Sequence, residues 1–136
     1  MAGYSGTPLV RKLGIRPNET ITALNAPEHY TSLLESLPIG AAMTNRLTSG
    51  AAFVHLFAAR RADFEKRLAA LRTKLADTGV LWVSWPKKSS GVVTDMTEDT
   101  IRQVALPLGF VDVKVCAVDE VWSGLKLMIR RENRKG

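Results

Sequence analysis

The chain has 136 residues, of which 46% are hydrophobic and 24% are charged, and its net charge is +6. This is the length of one ordinary domain and the composition of a soluble globular protein rather than a disordered chain. The single cysteine excludes an internal disulfide and a zinc site built on cysteines. The longest apolar run, 51–59, is far too short to span a bilayer, and the first residues do not resemble a signal peptide. We therefore expect a cytoplasmic location and no membrane contact.

The first half of the chain alternates short helices and strands. Pro8 suits the first position of a helix, and Gly14 is placed to end that helix. Residues 20–24 predict the first strand, and Pro27 opens a second helix with apolar residues at helical spacing. Residues 51–57 form a nearly continuous apolar run, which is typical of a parallel strand covered on both faces.

A long amphipathic helix and a buried strand follow. The helix carries an inward stripe of apolar residues: Phe64, Leu68, Leu71 and Leu75. Asp63 is its expected cap. Residues 80–85 then predict a buried strand at the centre of the sheet, which ends in a basic loop at 86–94. Asp95 or Thr97 is expected to cap the next helix.

The last strands are predicted to form an antiparallel hairpin, because a short link joins residues 110–119 to residues 125–131. Alternation along the first of these strands places Asp112 and Lys114 on one face. It places three valines on the other face: Val111, Val113 and Val115. The hairpin edge also offers a surface for a homo-oligomer.

Strands that alternate with helices predict one Rossmann-like, three-layer α/β domain, with a mainly parallel sheet that ends in the antiparallel hairpin. Residues 42–48 are a doubtful strand. Only Ser49 and Gly50 separate them from the next strand, whereas a parallel crossover takes a dozen or more residues. This stretch is therefore expected to be antiparallel or not a strand. Residues 1–6 and 132–136 are expected to be loose.

The element order over residues 51–131 resembles the second half of a Rossmann-like S-adenosylmethionine-dependent methyltransferase. Over nearly the whole chain, the sequence resembles more closely a bacterial family known as domain of unknown function 3052. Four stretches carry this second resemblance: GYSGTP at 3–8, LNAP at 24–27, WPKK at 85–88 and VCAVDEVWSGL at 115–125. The resemblance implies a methyltransferase-like fold and no established activity.

Two features depart from a working methyltransferase. A cofactor-binding turn after the first strand needs glycines, so that backbone N–H groups approach the ligand closely. The turn at 25–29 contains none, and Pro27 removes one N–H donor. The methyltransferase pattern also implies an acidic residue after the second strand, where Asn45 and Arg46 stand instead. The sequence therefore predicts no cofactor and favours a non-catalytic domain, with methyl transfer as an alternative.

Ligands of open α/β sheets bind at the carboxyl ends of the strands. The residues predicted to bind a ligand lie at these ends: Asn25, His29, Arg60, Lys87, Lys88, Ser89 and Asp119. Ammonium and hydroxyl groups there suit a phosphate or carboxylate, so the expected partner is an anionic small molecule. An ordinary solvated loop explains the same residues equally simply. No catalytic residue is identified.

A nucleic-acid-binding or protein-interaction module is the other alternative. The net charge of +6 and the basic stretch at 130–135 motivate it. Nucleic acid is not favoured, because no stretch interleaves basic and aromatic residues. No metal site is predicted, and His55 is expected to be a satisfied core histidine.

Overall fold

Six strands form one sheet in the computed structural model, which describes residues 7–134. The strands are β1 (Thr20–Leu24), β2 (Ala42–Thr44), β3 (Ala51–Phe57), β4 (Leu75–Pro86), β5 (Phe110–Ala117) and β6 (Trp122–Ile129). The α-helices are α1 (Leu9–Leu13), α2 (Tyr30–Leu34), α3 (Arg61–Lys74) and α4 (Glu98–Ala105). Single 3-10 turns lie at Lys88–Ser90, Leu106–Leu108 and Arg131–Asn133.

The strand order across the sheet is β2-β1-β3-β4-β6-β5. Strands β2, β1, β3 and β4 are parallel, whereas β6 is antiparallel to both β4 and β5. The hairpin therefore inserts its second strand next to β4 and leaves β5 at the edge. The predicted fold class, a mainly parallel three-layer α/β sheet with an antiparallel hairpin, is confirmed.

The expectation for residues 42–48 is wrong, because β2 is a strand and runs parallel to β1. Strand β2 has only three residues, so the chain needs to return by only about 10 Å before β3 begins. Crossing two strand spacings adds about 10 Å sideways. Residues 45–50 reach about 20 Å when extended, which is enough without a helix.

Two apolar layers cover the sheet, because its central strands are buried on both faces. Val54 and Leu56 of β3 point toward α3 and α4, together with Phe64, Leu68 and other buried residues of that layer. Phe53 of the same strand points toward α1 and α2. Since α1 and α2 have five residues each, they cover only part of the second face.

Helix capping differs from the prediction in one respect. Asp63 does not cap α3, since the first-turn N–H of Arg61 instead donates to Oδ1 of Asp95 at 2.7 Å. Thr97 caps α4, where it forms a reciprocal capping box with Thr100. The two candidate caps therefore both act, but on different helices, and Asp95 ties the loop before α4 to the start of α3.

A bulge in β5 overturns the expected alternation of side chains. Asp112 pairs with Leu127, while Lys114 pairs with Lys126, so Val113 is the extra residue. Because directly opposite residues share a face, Asp112 lies on the side of α4 and Lys114 lies on the other side. The prediction that these two residues share a face is wrong.

The carboxyl-terminal stretch begins with one turn. Arg131–Asn133 form this turn, and Nε of Arg134 donates to the carbonyl of Ile129 at 3.0 Å. Residues 131–133 are exposed, and the expectation that residues 132–136 are loose stays a prediction. Residues 1–6 and 135–136, also expected to be loose, lie outside the described residues.

A matched pair of Val→Ala substitutions tests the buried layer. Val54 is 0% exposed and Val93 is 88% exposed, so the same two carbons are removed from a packed and from a solvated site. We expect V54A to lower the free energy of unfolding by about 2 kcal/mol and V93A to change it by less than about 0.5 kcal/mol. Urea denaturation measures both, and equal effects would contradict the assigned core.

Candidate functional site

The carboxyl ends of four strands meet at one edge of the sheet. β1, β3, β4 and β5 all run in the same direction, so the loops that follow them lie side by side. These loops contain residues 25–29, 58–60, 87–90 and 118–121. The edge is where ligands of open α/β sheets bind.

Asp119 organises the hairpin turn at this edge. Its Oδ1 accepts the backbone N–H groups of Val121 and Trp122, at 2.8 and 2.7 Å. Nε2 of His29 donates to Oδ2 at 2.9 Å, and Nζ of Lys87 donates to the Asp119 carbonyl at 2.8 Å. Burial raises the pKa of Asp119. The hydrogen bonds that its carboxylate accepts from His29, Trp122 and Val121 outweigh burial and lower the pKa below its ordinary value. The Asp119 carboxylate thus joins the hairpin turn to the 25–29 loop, and the Asp119 backbone carbonyl joins the turn to Lys87.

The predicted ligand-binding residues separate into three groups. His29, Lys87 and Asp119 do come together, but their polar groups bind one another and clamp the turn. Two others, Asn25 and Arg60, line cavities. Lys88 and Ser89 lie in an exposed turn and line neither of these cavities. The structure brings the strand ends together as expected, without collecting the lysines into one basic cleft.

Two cavities flank Asn25. The β1–β2 cavity has a volume of about 680 Å³ and is lined by Ala23, Asn25, Ala26, Pro27, Glu28, Tyr30, Thr31, Met43, Thr44 and Asn45. The β1–β3 cavity has a volume of about 450 Å³ and is lined by Asn25, Phe57, Ala58, Ala59, Arg60, Asp63 and Trp122. Asn25 is the residue that both cavities share.

A third cavity, of about 730 Å³, lies at the opposite edge of the sheet. Its lining comes from residues 16–20, from the threonine side chains of β1 and β2, and from the connection that leads into β3. No helix covers this part of the sheet, because residues 45–50 return directly. Most of its lining lies at the amino ends of β1 and β3, and although Thr44 also lines the β1–β2 cavity, we do not count the third cavity as part of the candidate site.

Asn25 adopts a left-handed backbone conformation, which glycine enters most readily. Its φ angle is 57°, in the left-handed region, directly after β1 ends. Asparagine enters this region more readily than other residues that carry a side chain. The chain therefore turns sharply at the end of β1 without a glycine, and the exposed amide of Asn25 stands between the two cavities.

A buried hydrogen-bond chain lies beneath the loop that begins at Asn25. Nδ1 of His55 bonds the Tyr30 hydroxyl at 2.7 Å, and Nε2 bonds Oγ of Ser84 at 2.7 Å. Burial lowers the pKa of His55 to about 3 and raises the pKa of Tyr30. The imidazole is therefore neutral at physiological pH, and the expected satisfied core histidine is confirmed.

Aromatic rings continue this chain to the cavity walls. Tyr30 lines the β1–β2 cavity, while Phe57 and Trp122 line the β1–β3 cavity. The ring of Phe57 contacts Tyr30 and Trp122 edge-on at 5.2 and 5.1 Å, and it stacks on His55 at 4.2 Å. The site reasoning from sequence missed Tyr30 and Phe57. Their available signal was position, since one follows the first loop and the other ends β3.

The charged residues that line the two cavities limit which ligands could bind there. One acidic residue lines each cavity: Glu28 lines the β1–β2 cavity, and Asp63 lines the β1–β3 cavity. Arg60 adds a cation to the second cavity. Among residues 7–134, no group of three histidine, cysteine or acidic side chains is placed to hold a metal ion. None of the described helices has the length and hydrophobicity to cross a bilayer.

Comparisons with known proteins identify the fold. No protein-family model matches the chain, and no curated protein matches its sequence. Solved structures do match. An S-adenosylmethionine-dependent methyltransferase from Aquifex aeolicus superposes with a TM-score of 0.67 at 10% identity, over 90% of this chain and 88% of that chain.

Two further methyltransferase-like structures are similar. Aeropyrum pernix fibrillarin, in complex with S-adenosylmethionine, matches with a TM-score of 0.59 at 13% identity, over 93% of this chain and 70% of that chain. Magnesium protoporphyrin IX methyltransferase from Synechocystis, with bound S-adenosylhomocysteine, matches with a TM-score of 0.58 at 10% identity, over 90% and 78%. At these identities the likeness establishes a Rossmann-like methyltransferase fold and nothing about ligands.

The buried histidine predicts a pH dependence of stability. Because the pKa of His55 falls from 6.5 to about 3 on folding, the unfolded chain binds a proton that the folded chain does not. Stability is full above pH 6.5 and is lost as the pH falls toward 3. Between pH 7.5 and pH 5, this site should cost about 2 kcal/mol of unfolding free energy, measured by urea denaturation.

The same measurement on two variants isolates His55. H55Q should be less stable at neutral pH but should lose this part of the pH dependence, whereas H29Q should keep it. In the intact protein, NMR should show a His55 ring that does not titrate between pH 7.5 and pH 5. A titrating ring would contradict the neutral buried imidazole.

The Asp119 clamp predicts a second pH effect. D119N keeps an oxygen for the two backbone N–H groups but removes the charge that faces His29. Since folding lowers the pKa of Asp119 below 3.8, the carboxylate stabilises the fold above that pH. We expect D119N to be less stable than wild type at pH 7, with a difference that disappears as the pH falls through the folded pKa. An equal loss in E120Q, a change at an exposed neighbour, would contradict a specific clamp.

Proposed function

We propose that the carboxyl edge around Asn25 binds S-adenosylmethionine, and that the chain is an S-adenosylmethionine-dependent methyltransferase. One observation carries the proposal: Asn25 turns in a left-handed conformation between two cavities at the end of β1. The fold shared with solved methyltransferases supports it.

The position of Asn25 follows from the topology of the sheet. The chain leaves β1 toward β2 on one side and later enters β3 on the other side. The connection that follows β1 and the connection that follows β3 therefore diverge, and a crevice opens between the ends of these two strands. Open α/β sheets bind their ligands at such a switch point. The β1–β3 cavity occupies this crevice, and the β1–β2 cavity continues it.

The lining residues fit the parts of S-adenosylmethionine. Asn45 and Glu28 offer an amide and a carboxylate to ribose hydroxyls in the β1–β2 cavity. Arg60 is a partner for a ligand carboxylate. Asp63 also lines this cavity, but both of its carboxylate oxygens accept from Nε of Arg67 at 3.1 Å. When bound, the cofactor supplies an electrophilic methyl group. The residues of this chain would bind and orient it and exclude water, with the rings of Phe57 and Trp122 as the apolar wall.

This proposal revises the preference for a non-catalytic domain. That preference rested on a turn without glycines to let backbone N–H groups approach a ligand, on the N–H donor lost at Pro27, and on the missing acidic residue. Asn25 gives the turn a left-handed conformation without a glycine. The acidic residue expected after β2 is still absent, although Glu28 reaches the same cavity from the loop after β1. We also propose membership in the domain of unknown function 3052 family, on the sequence stretches given above.

A non-catalytic site for an anionic small molecule is the second candidate. Arg60 in the β1–β3 cavity favours it, since its guanidinium is suited to a phosphate or carboxylate. The two candidates differ in what Arg60 does. For a purely anionic ligand Arg60 is the main determinant, whereas for S-adenosylmethionine it contacts only one end.

Isothermal titration with S-adenosylmethionine, S-adenosylhomocysteine, adenosine and inorganic phosphate tests the proposal. We expect binding of both S-adenosyl compounds and weaker binding of adenosine. Substituting Asn25 by valine should weaken binding by about tenfold or more, because a β-branched residue does not enter the left-handed region readily. Glycine at this position keeps the turn, so N25G should bind much more tightly than N25V.

Three outcomes would overturn the proposal. Binding of phosphate alone, abolished in R60A, would favour the anionic-ligand site. Equal binding by N25V and N25G would remove the role of the turn. Failure of both S-adenosyl compounds to bind the folded wild-type protein, with folding verified by circular dichroism, would exclude the cofactor.

A further inference from the structure

Among residues 7–134, no helix packs along the length of one face of the β5–β6 hairpin. This face consists of Val111, Lys114 and Cys116 on β5 and of Lys126 and Met128 on β6, which we call the hairpin face. α1 and α2 lie on this side of the sheet, but with five residues each they pack over β1, β3 and β4. Val111 is 38% exposed, and Lys114 is exposed as well.

Two lysines on the hairpin face stand directly opposite each other. Lys114 and Lys126 are partners in the β5–β6 register, at the bulge that follows Asp112. Like charges directly opposite on a sheet face are destabilising, because their side chains are neighbours. The bulge creates this pairing, since regular alternation would have placed Lys114 on the other face. The arrangement therefore costs stability and gains a concentrated positive charge.

A third ammonium group lies beside this pair. Nζ of Lys12, from α1, donates to the carbonyl of Ala117 at the end of β5 at 3.3 Å. Burial raises the pKa of the Cys116 thiol, and the nearby charges of Lys12 and Lys114 oppose that rise. Both lysines are thus close to the half-buried Cys116, on the same side of the hairpin.

Acidic residues do not neutralise this face from within the hairpin. Asp112 is the one acidic residue in strands β5 and β6, and it points to the opposite side. There it binds Nε of Arg102 on α4 at 3.0 Å. The bulge therefore separates the carboxylate from the lysines, so the five residues of the hairpin face include two lysines and no acidic residue.

Because the lysines of the hairpin face are positively charged and nucleic-acid phosphates are negatively charged, we propose that this face binds the phosphate backbone of a nucleic acid. Compact ammonium groups on an open, flat surface suit phosphates that repeat along a strand. Trp122 lies on the same side of β6, but its ring packs edge-on against Phe57 at 5.1 Å rather than standing free for base stacking, so binding is independent of sequence. This interaction goes beyond the proposed cofactor site and does not depend on it.

Fluorescence anisotropy with labelled single-stranded and double-stranded oligonucleotides of equal length tests the proposal. The variant K114Q/K126Q removes both charges of the pair. It should weaken binding by about tenfold or more at low salt and reduce the slope of log affinity against log salt by about 1.5, because each lost phosphate contact removes about 0.7 to 0.9. K114Q/K126Q should also have a higher Tm than wild type, because it removes the repulsion between the two lysines.

The control variant K66Q/K74Q changes the net charge equally, at two exposed lysines of α3. It should retain most of the affinity and the salt slope. Equal weakening in both variants would attribute binding to overall charge and overturn the proposal. So would salt-insensitive binding, absence of binding to either oligonucleotide, or tighter binding of polyglutamate than of nucleic acid. S-adenosylmethionine binding measured in parallel keeps a failure here separate from a failure of the cofactor site.

Discussion

The neutral imidazole of His55 ties α2 to the paired strands β3 and β4 through buried hydrogen bonds. It connects the Tyr30 hydroxyl at the start of α2 to Oγ of Ser84 on β4, and its own backbone belongs to β3. A buried polar group without partners would be costly, so each of the three residues requires the other two. Tyr30 follows the 25–29 loop directly. The Tyr30–His55–Ser84 hydrogen bonds therefore hold one end of that loop, while β1 holds the other end.

The candidate site depends on these hydrogen bonds because the helices and the connection beside the 25–29 loop are short. The helices on the loop side have five residues each, and residues 45–50 replace the helix that usually joins parallel strands. Rigidity at the carboxyl edge therefore comes from point contacts. His55 fixes the loop after β1 from below, and Asp119 joins it to the hairpin turn from above. Asn25 can then stay in a left-handed turn that glycine would otherwise provide.

The hairpin shows a different compromise between stability and function. Its edge strand keeps exposed valines, and the bulge brings Lys114 opposite Lys126. A bulge also interrupts the regular edge that would allow another strand to pair. The same irregularity thus protects the edge of the sheet and sets the charge of the hairpin face.

The sequence by itself determined the strands that local pattern specifies, because apolar runs and turn residues act over a few neighbours. Residues 20–24 and 51–57 were predicted with their observed bounds, and the strand ends were expected to share one edge. Only the tertiary structure decided what depends on distant pairing. It showed that β2 is parallel, that Asp95 accepts from the first turn of α3, and that Lys87 donates to the Asp119 carbonyl. These outcomes follow from register and distance between residues far apart in the chain, and a local pattern carries no information about either.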